Sequence, residues 1–181
     1  MSELVLDPVF YDFEASGLEG FPIEVGWACV QQTPAVLASE GYLIRPALDW
    51  NAAENWDTEA EQLHGLTLDL LLREGKPPTT VALRMNEALR NRSLFADSPF
   101  DEGWLSQLFD AAGLLPTFHI RRTAPEVLVR QFAADQRLPS AAVDQAIICA
   151  QRDHPQVHRA VQDAYYWAAV WLMLLRQAGR A

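Results

Sequence analysis

Up to Pro46 the apolar positions come in short runs bounded by turn residues, and beyond it they come at helical spacing. Pro8 can begin a strand but not interrupt one, so residues 9–14 are expected as a first strand, FPIEVGWACV (21–30) as a second and GYLIRP (41–46) as a third. Turn signals at Gly17–Gly20 and around Thr33–Pro34 separate them. NWDTEAEQLHGLT, LDLLLREG and VALRMNEALRN then read as helices, and SLFADS (93–98) as a short apolar strand. DEGWLSQLFDAAG (101–113) is predicted as a helix closed by Gly113. TFHIRRT follows as a fifth strand and PEVLVRQFAAD as a helix. Ser140 is expected to cap a helix from Ala141 to about Arg152, and a last helix to run from near His158 to Gln177. Three strands, helices, then strand, helix, strand and helices give an α/β sheet that starts as a meander and continues by crossovers. There is no repeat, and Gly75–Thr80 reads as a loop, so residues 1–181 are expected as one domain.

Composition narrows the class. The chain has 181 residues, 50% hydrophobic and 21% charged, which suits one globular domain with a full core. No N-terminal stretch joins basic residues to a long apolar run, so no signal peptide is expected. AYYWAAVWLMLL (164–175) is too short to span a bilayer and reads as a buried helix. Cys29 and Cys149 are too few for a disulfide framework or a zinc site, which makes the cytoplasm the default location. A net charge of −10 argues against a protein that tracks long duplexes. Thirteen of the fourteen cations are Arg, which suits bidentate phosphate contacts but equally follows from genomic base composition.

The candidate chemistry lies in the carboxylates. In VFYDFEASGLEG, strand alternation puts Phe10, Asp12 and Glu14 on one face. Two adjacent carboxylates repel unless a proton or a cation sits between them, and hard divalent cations take oxygen ligands. A lone D-x-E is more often a solvated strand end. DSPFDEGWL adds Asp97 and Asp101, the latter at a strand-to-helix junction, where ligands gather in open α/β sheets. Asp is also a favoured N-cap there without any ligand. HRAVQDAYYW adds His158 and Asp163. Positions i and i+5 lie about 140° apart on a helix. The pair can meet only if His158 sits at the helix start or in the loop before it, and HPQV supplies the break.

D-x-E in DFEASGL, an Asp in FDEGWL and H-x4-D in HRAVQDA, in this order and with IEVGW and HGLT between, resemble the DEDDh 3′–5′ exonuclease family. That family includes the proofreading subunit of bacterial DNA polymerase III, ribonuclease T and oligoribonuclease. The resemblance runs from Asp12 to Asp163. It implies a ribonuclease H-like fold, a mixed five-stranded sheet flanked by helices. It implies catalytic residues Asp12, Glu14, Asp101, His158 and Asp163, with the four carboxylates holding two divalent cations, Mg²⁺ or Mn²⁺, and His158 as general base. It further implies release of nucleoside 5′-monophosphates from the 3′ end of single-stranded DNA or RNA. Ala15, Ser16, Gly17 and Leu18 would line the terminal nucleotide. His64 would contact its sugar or phosphate, or else be a surface helix histidine. Trp50 and Trp56 are candidates for base stacking or for loop anchoring, and His119 and His154 read as structural.

Two positions depart from the family pattern. Ala96 and Asp97 stand where His-Asn is frequent, which puts a fifth carboxylate near the site. Ala15-Ser16-Gly17 follows the D-x-E where Thr is common. The competing readings are a catalytically silent nucleic-acid-binding or scaffold domain of the same fold, and a hydrolase of small nucleotide phosphodiesters. All five catalytic positions are filled, which argues against the silent domain. The last helix ends the sequence, which favours a stand-alone enzyme over a polymerase-bound subunit. DNA versus RNA and a homodimer stay open.

Overall fold

A computed structural model describes residues 7–32 and 35–180. The strands are β1 (Pro8–Ala15), β2 (Pro22–Gln32), β3 (Ala35–Leu43), β4 (Ser93–Phe95) and β5 (His119–Arg121). The helices are α1 (Thr58–His64), α2 (Leu68–Glu74), α3 (Pro78–Ala88), α4 (Asp101–Ala112), α5 (Pro125–Asp135), α6 (Ala142–Asp153) and α7 (Ala160–Gln177), with a 3₁₀ turn at Leu48–Trp50. One sheet has the order β3-β2-β1-β4-β5. β1, β2 and β3 pair antiparallel, while β4 and β5 run parallel to β1. This is the mixed five-stranded sheet flanked by helices that the ribonuclease H-like reading expects.

Several boundaries differ from the sequence expectation. The third strand is Ala35–Leu43, not 41–46, because its register is fixed by pairing with β2, from Glu24 opposite Leu43 to Gln32 opposite Ala35. The expected turn at Thr33–Pro34 lies outside the described residues. β4 stops at Phe95, and β5 is three residues long. Pro78 opens α3 three residues before the expected start, in the first-turn position where its missing N–H costs nothing. Ser140 does not cap α6: the cap position is Ala141, and no side chain bonds there. Gly113 does close α4, in the left-handed conformation that an L side chain adopts at a cost.

β1 is the middle of the sheet and is buried on both faces. Val9, Tyr11 and Phe13 enter one core with Val81, Met85, Leu105 and Phe109 of α3 and α4. Phe10 enters the other with Phe95 and with Val170, Trp171 and Leu174 of α7. Asp12 and Glu14 therefore continue the row that faces α7. Twelve of the eighteen α7 residues are buried, so its long apolar run is spent on the sheet. Among the described residues no helix is long and apolar enough to cross a membrane.

Two glycines let α7 come that close. A Cβ on Gly26 would strike the backbone of Ala160 and Val161 at the start of α7. One on Gly41 would strike the Val161 side chain and the Val25 carbonyl. Both glycines sit inside strands, where a missing side chain marks a close approach. Their consequence is positional: the first turn of α7, with Asp163, rests directly over the end of β1.

Candidate active site

Asp12, Glu14 and Asp163 each present a carboxylate oxygen, and these oxygens lie within 4.8 Å of one another. The strand supplies two and the helix one. Asp101 stands behind them at the first turn of α4, fully buried. β4 has ended by this level, so the Phe13 N–H finds no strand partner there. It donates instead to Asp101 Oδ1 at 3.2 Å, and the Ser98 N–H donates to Oδ2 at 3.3 Å. Asp101 thus bonds β1 and the junction, and caps no helical N–H.

The electrostatics are those of like charges crowded out of water. Burial first, then Asp101, Glu14, Asp163 and Asp97, raises the Asp12 pKa well above the ordinary carboxylate range. Burial, Asp163, Glu24 and Asp101 push Glu14 up to about 8, against a pull downward from Arg159. Burial lifts Asp101 to about 7 even though its two N–H donors favour the anion. Asp163 is raised by burial and held back by the Val157 N–H and by His158. Without a cation the cluster retains protons at neutral pH. Three convergent oxygen donors with a fourth carboxylate beside them suit a hard divalent cation, which would replace those protons.

His158 lies in the segment between α6 and α7, two residues before the helix, with φ of 56°. Left-handed backbone at a non-glycine residue is held by its surroundings at some cost. Here the Val157 N–H donates to Asp163 Oδ1 at 2.8 Å and ties the segment to the cluster. His158 itself is exposed.

The other expected residues divide. Ser16 is fully buried and its hydroxyl is committed within the loop: it donates to the Asn55 carbonyl at 2.9 Å and accepts from the Phe21 N–H at 3.0 Å. Ala15 is buried, while Gly17 and Leu18 line a cavity of about 610 Å³ with Asn55, Trp56 and Asp57. Leu18 is 70% exposed there. His64 is not a surface histidine: it is 6% exposed, at the end of α1. Its Nδ1 accepts from the Leu66 N–H at 3.0 Å, leaving the proton on Nε2, and burial lowers its pKa while the nearby Ala15 carbonyl raises it. Trp50 is core, stacked on Phe21 at 5.4 Å. Trp56 is half-buried and bonds Glu61 through Nε1. His119 is exposed in β5, and His154 packs edge-on against Tyr165.

Two features escape sequence reading. Glu24, on β2 opposite Glu14, is buried and holds the start of α7. It takes Arg159 bidentately, at 3.0 and 2.7 Å, and accepts from the Ala160 N–H at 3.0 Å. A charge inside the apolar run FPIEVGWACV, two residues before a glycine, is the signal that could have found it. The second is Phe100, directly before Asp101, 50% exposed and stacked on Trp104 at 5.9 Å.

The class is that of the ribonuclease H-like fold, with an acidic cluster at the carboxyl end of its central strand. Within it, the chain is similar to E. coli exonuclease I. Against the zinc-bound exonuclease I complex with single-stranded DNA it has 15% identity and a TM-score of 0.67, over 96% of this chain and 41% of that one. Against the complex with a dT13 oligonucleotide the values are 16%, 0.67, 96% and 42%. The chain therefore spans about two-fifths of exonuclease I. Exonuclease X in complex with 5′ overhanging duplex DNA matches at 17% identity and a TM-score of 0.53, over 96% of this chain and 94% of that one. No family model matches the chain, and no curated protein matches it in sequence.

Proposed function

We propose that this chain is a divalent-cation-dependent 3′–5′ exonuclease that releases nucleoside 5′-monophosphates from single-stranded ends of DNA or RNA. The observation that carries the reading is the convergence of Asp12, Glu14 and Asp163 within 4.8 Å at the end of the central strand. The fold shared with exonuclease I and exonuclease X supports it.

In this reading Asp12, Glu14, Asp101 and Asp163 hold two Mg²⁺ or Mn²⁺ ions. When bound, such ions neutralise charge at the scissile phosphate and make bound water acidic enough to attack near neutral pH. His158 takes the proton of the attacking water as general base. Its segment is fastened to Asp163, so the base and one carboxylate keep a fixed relation. The Ala15–Leu18 loop and the cavity beside Trp56 receive the terminal nucleoside, with Leu18 as the apolar surface against its base. His64 supports that loop from behind, as a neutral group next to Ala15.

Affinity in this scheme comes from the strand end more than from basic residues. Arg122, Arg152 and Arg159 are each paired with a carboxylate: Glu102, Asp153 and Glu24. The salt dependence of single-strand binding should then correspond to roughly two to four phosphate contacts, at about −0.7 per contact. The decisive experiment digests 5′-labelled single-stranded DNA, duplex DNA and RNA with Mg²⁺ or Mn²⁺, beside Asp12→Ala and Asp163→Ala. A ladder shortening from the 3′ end in the wild type and none in the variants is expected. Degradation that persists in chelator, or variants that match the wild type, would sink the assignment.

A further inference from the structure

Asp97 stands between the two halves of the site. It follows β4 and precedes Asp101 by four residues. Its Oδ2 accepts a hydrogen bond at 3.2 Å from Trp167 Nε1 of α7. Trp167 lies one helical turn after Asp163, so the two share a side of α7. α4 contributes to one core and α7 to the other, across the sheet. A single carboxylate thus links the junction that carries Asp101 to the helix that carries Asp163. Asp97 is exposed and lines a cavity of about 410 Å³ with Tyr11, Glu102, Ile120, Arg121 and Arg122. None of the ion pairs among the described residues involves it. Its charge adds to the crowding of carboxylates around Asp12 and Asp101.

We propose that Asp97 is a positioning residue of the cation site: it ties α7 to the β4–α4 junction, and its unpaired charge strengthens the hold of the surrounding carboxylates on divalent cations. The inference rests on reading the cluster as a cation site. The two parts separate by substitution. Asn keeps an oxygen that can accept from Trp167 and loses the charge. Ala loses both.

The test is calorimetric titration of metal-free protein with Mn²⁺, paired with thermal unfolding in chelator, for wild type, Asp97→Asn, Asp97→Ala and the remote control Asp110→Asn. Asp97→Asn should bind Mn²⁺ about tenfold more weakly, the usual order for a group that supports metal ligands without being one, and should unfold no lower than wild type. Asp97→Ala should lose at least as much affinity and also unfold at a lower temperature. Asp110, exposed near the far end of α4, should leave Mn²⁺ affinity unchanged. A purely structural Asp97 would be rescued in both measurements by Asn, so unaltered Mn²⁺ affinity in Asp97→Asn overturns the proposal. Equal unfolding temperatures for the Asn and Ala variants overturn the tie. A wild type that takes up no Mn²⁺ overturns the cation reading itself, a failure visible before any variant is compared.

Discussion

Replacing Glu14 by Gln should stabilise the metal-free protein while destroying its proposed activity. The Glu14 pKa moves from 4.5 to about 8, first through burial and then through Asp163, Glu24 and Asp101. A carboxyl raised in this way favours folding in its protonated form. The stability is fully present below about pH 4.5 and is lost as pH rises through about 8. At about 1.4 kcal/mol per unit, the ceiling is on the order of 4–5 kcal/mol. Neighbouring carboxylates share protons and water reaches the cluster, so about 2 kcal/mol is a reasonable working value. For a chain of this size that corresponds to about 4–8 °C in unfolding temperature. Gln preserves the shape and removes the charge. Scanning calorimetry in chelator should therefore show Glu14→Gln unfolding higher than wild type at pH 8.5 and level with it at pH 5. Saturating Mn²⁺ should reverse the order, since a ligand at a hundred times its Kd adds about 2.7 kcal/mol to the form that binds it. A variant that is less stable at pH 8.5, or a gap that persists undiminished at pH 5, would refute the charge-crowding argument.

His158→Ala should slow hydrolysis by about 10²–10⁴-fold and leave calorimetric Mn²⁺ binding in place; loss of Mn²⁺ binding would make His158 a ligand instead of a base. Gly26→Ala should disrupt the site from outside it, because the added Cβ meets the backbone of Ala160 and Val161. The start of α7 must withdraw, at about 1–3 kcal/mol for overpacking, and Mn²⁺ affinity should fall with it; a variant with wild-type stability and affinity would show that α7 does not rest on this glycine. Phe100→Ala should weaken single-strand binding by about 1–3 kcal/mol if the exposed ring carries a base, read by titration of an Asp163→Asn background in Ca²⁺; unchanged affinity would confine Phe100 to packing on Trp104.

The part of the site that rests on local periodicity is legible in the sequence. Alternation along a strand puts Asp12 beside Glu14, and the 140° separation on a helix requires His158 to precede α7, which begins at Ala160. What depends on pairing between segments is not legible. The third strand lies at Ala35–Leu43 because its register follows β2, and Ala38, Ser39 and Gly41 do not alternate like a strand with a buried face. Ser140 offers a good capping side chain, yet the cap position falls one residue beyond it, at Ala141, and α6 starts at Ala142. Asp101 reads as an N-cap by type, and only the early end of β4 turns its carboxylate toward the Phe13 N–H. Ser16 offers a hydroxyl by type, and the loop uses it internally. Glu24 stays hidden because its partners, Arg159 and the Ala160 N–H, lie more than 130 residues away.

The places where this chain breaks the ordinary rules of folding lie close together. The central strand ends in two carboxylates, its neighbour carries a buried glutamate and a glycine, and a histidine holds left-handed backbone just before a helix. Each feature alone weakens a fold: charges out of water, a strand without a side chain, a strained turn. Their arrangement shows what the weakness serves. Gly26 admits the helix, Glu24 fastens its first turn through Arg159 and Ala160, and the Val157 N–H fastens the histidine segment to Asp163. Every one of these devices acts on the position of a carboxylate in the cluster, and Gly26 also seats the helix that fills one of the two hydrophobic cores. A fold selected for stability alone would have neutralised Glu14. Local conflict of this kind, confined to one end of one strand and supported from several segments, is the physical signature of a site kept for its chemistry.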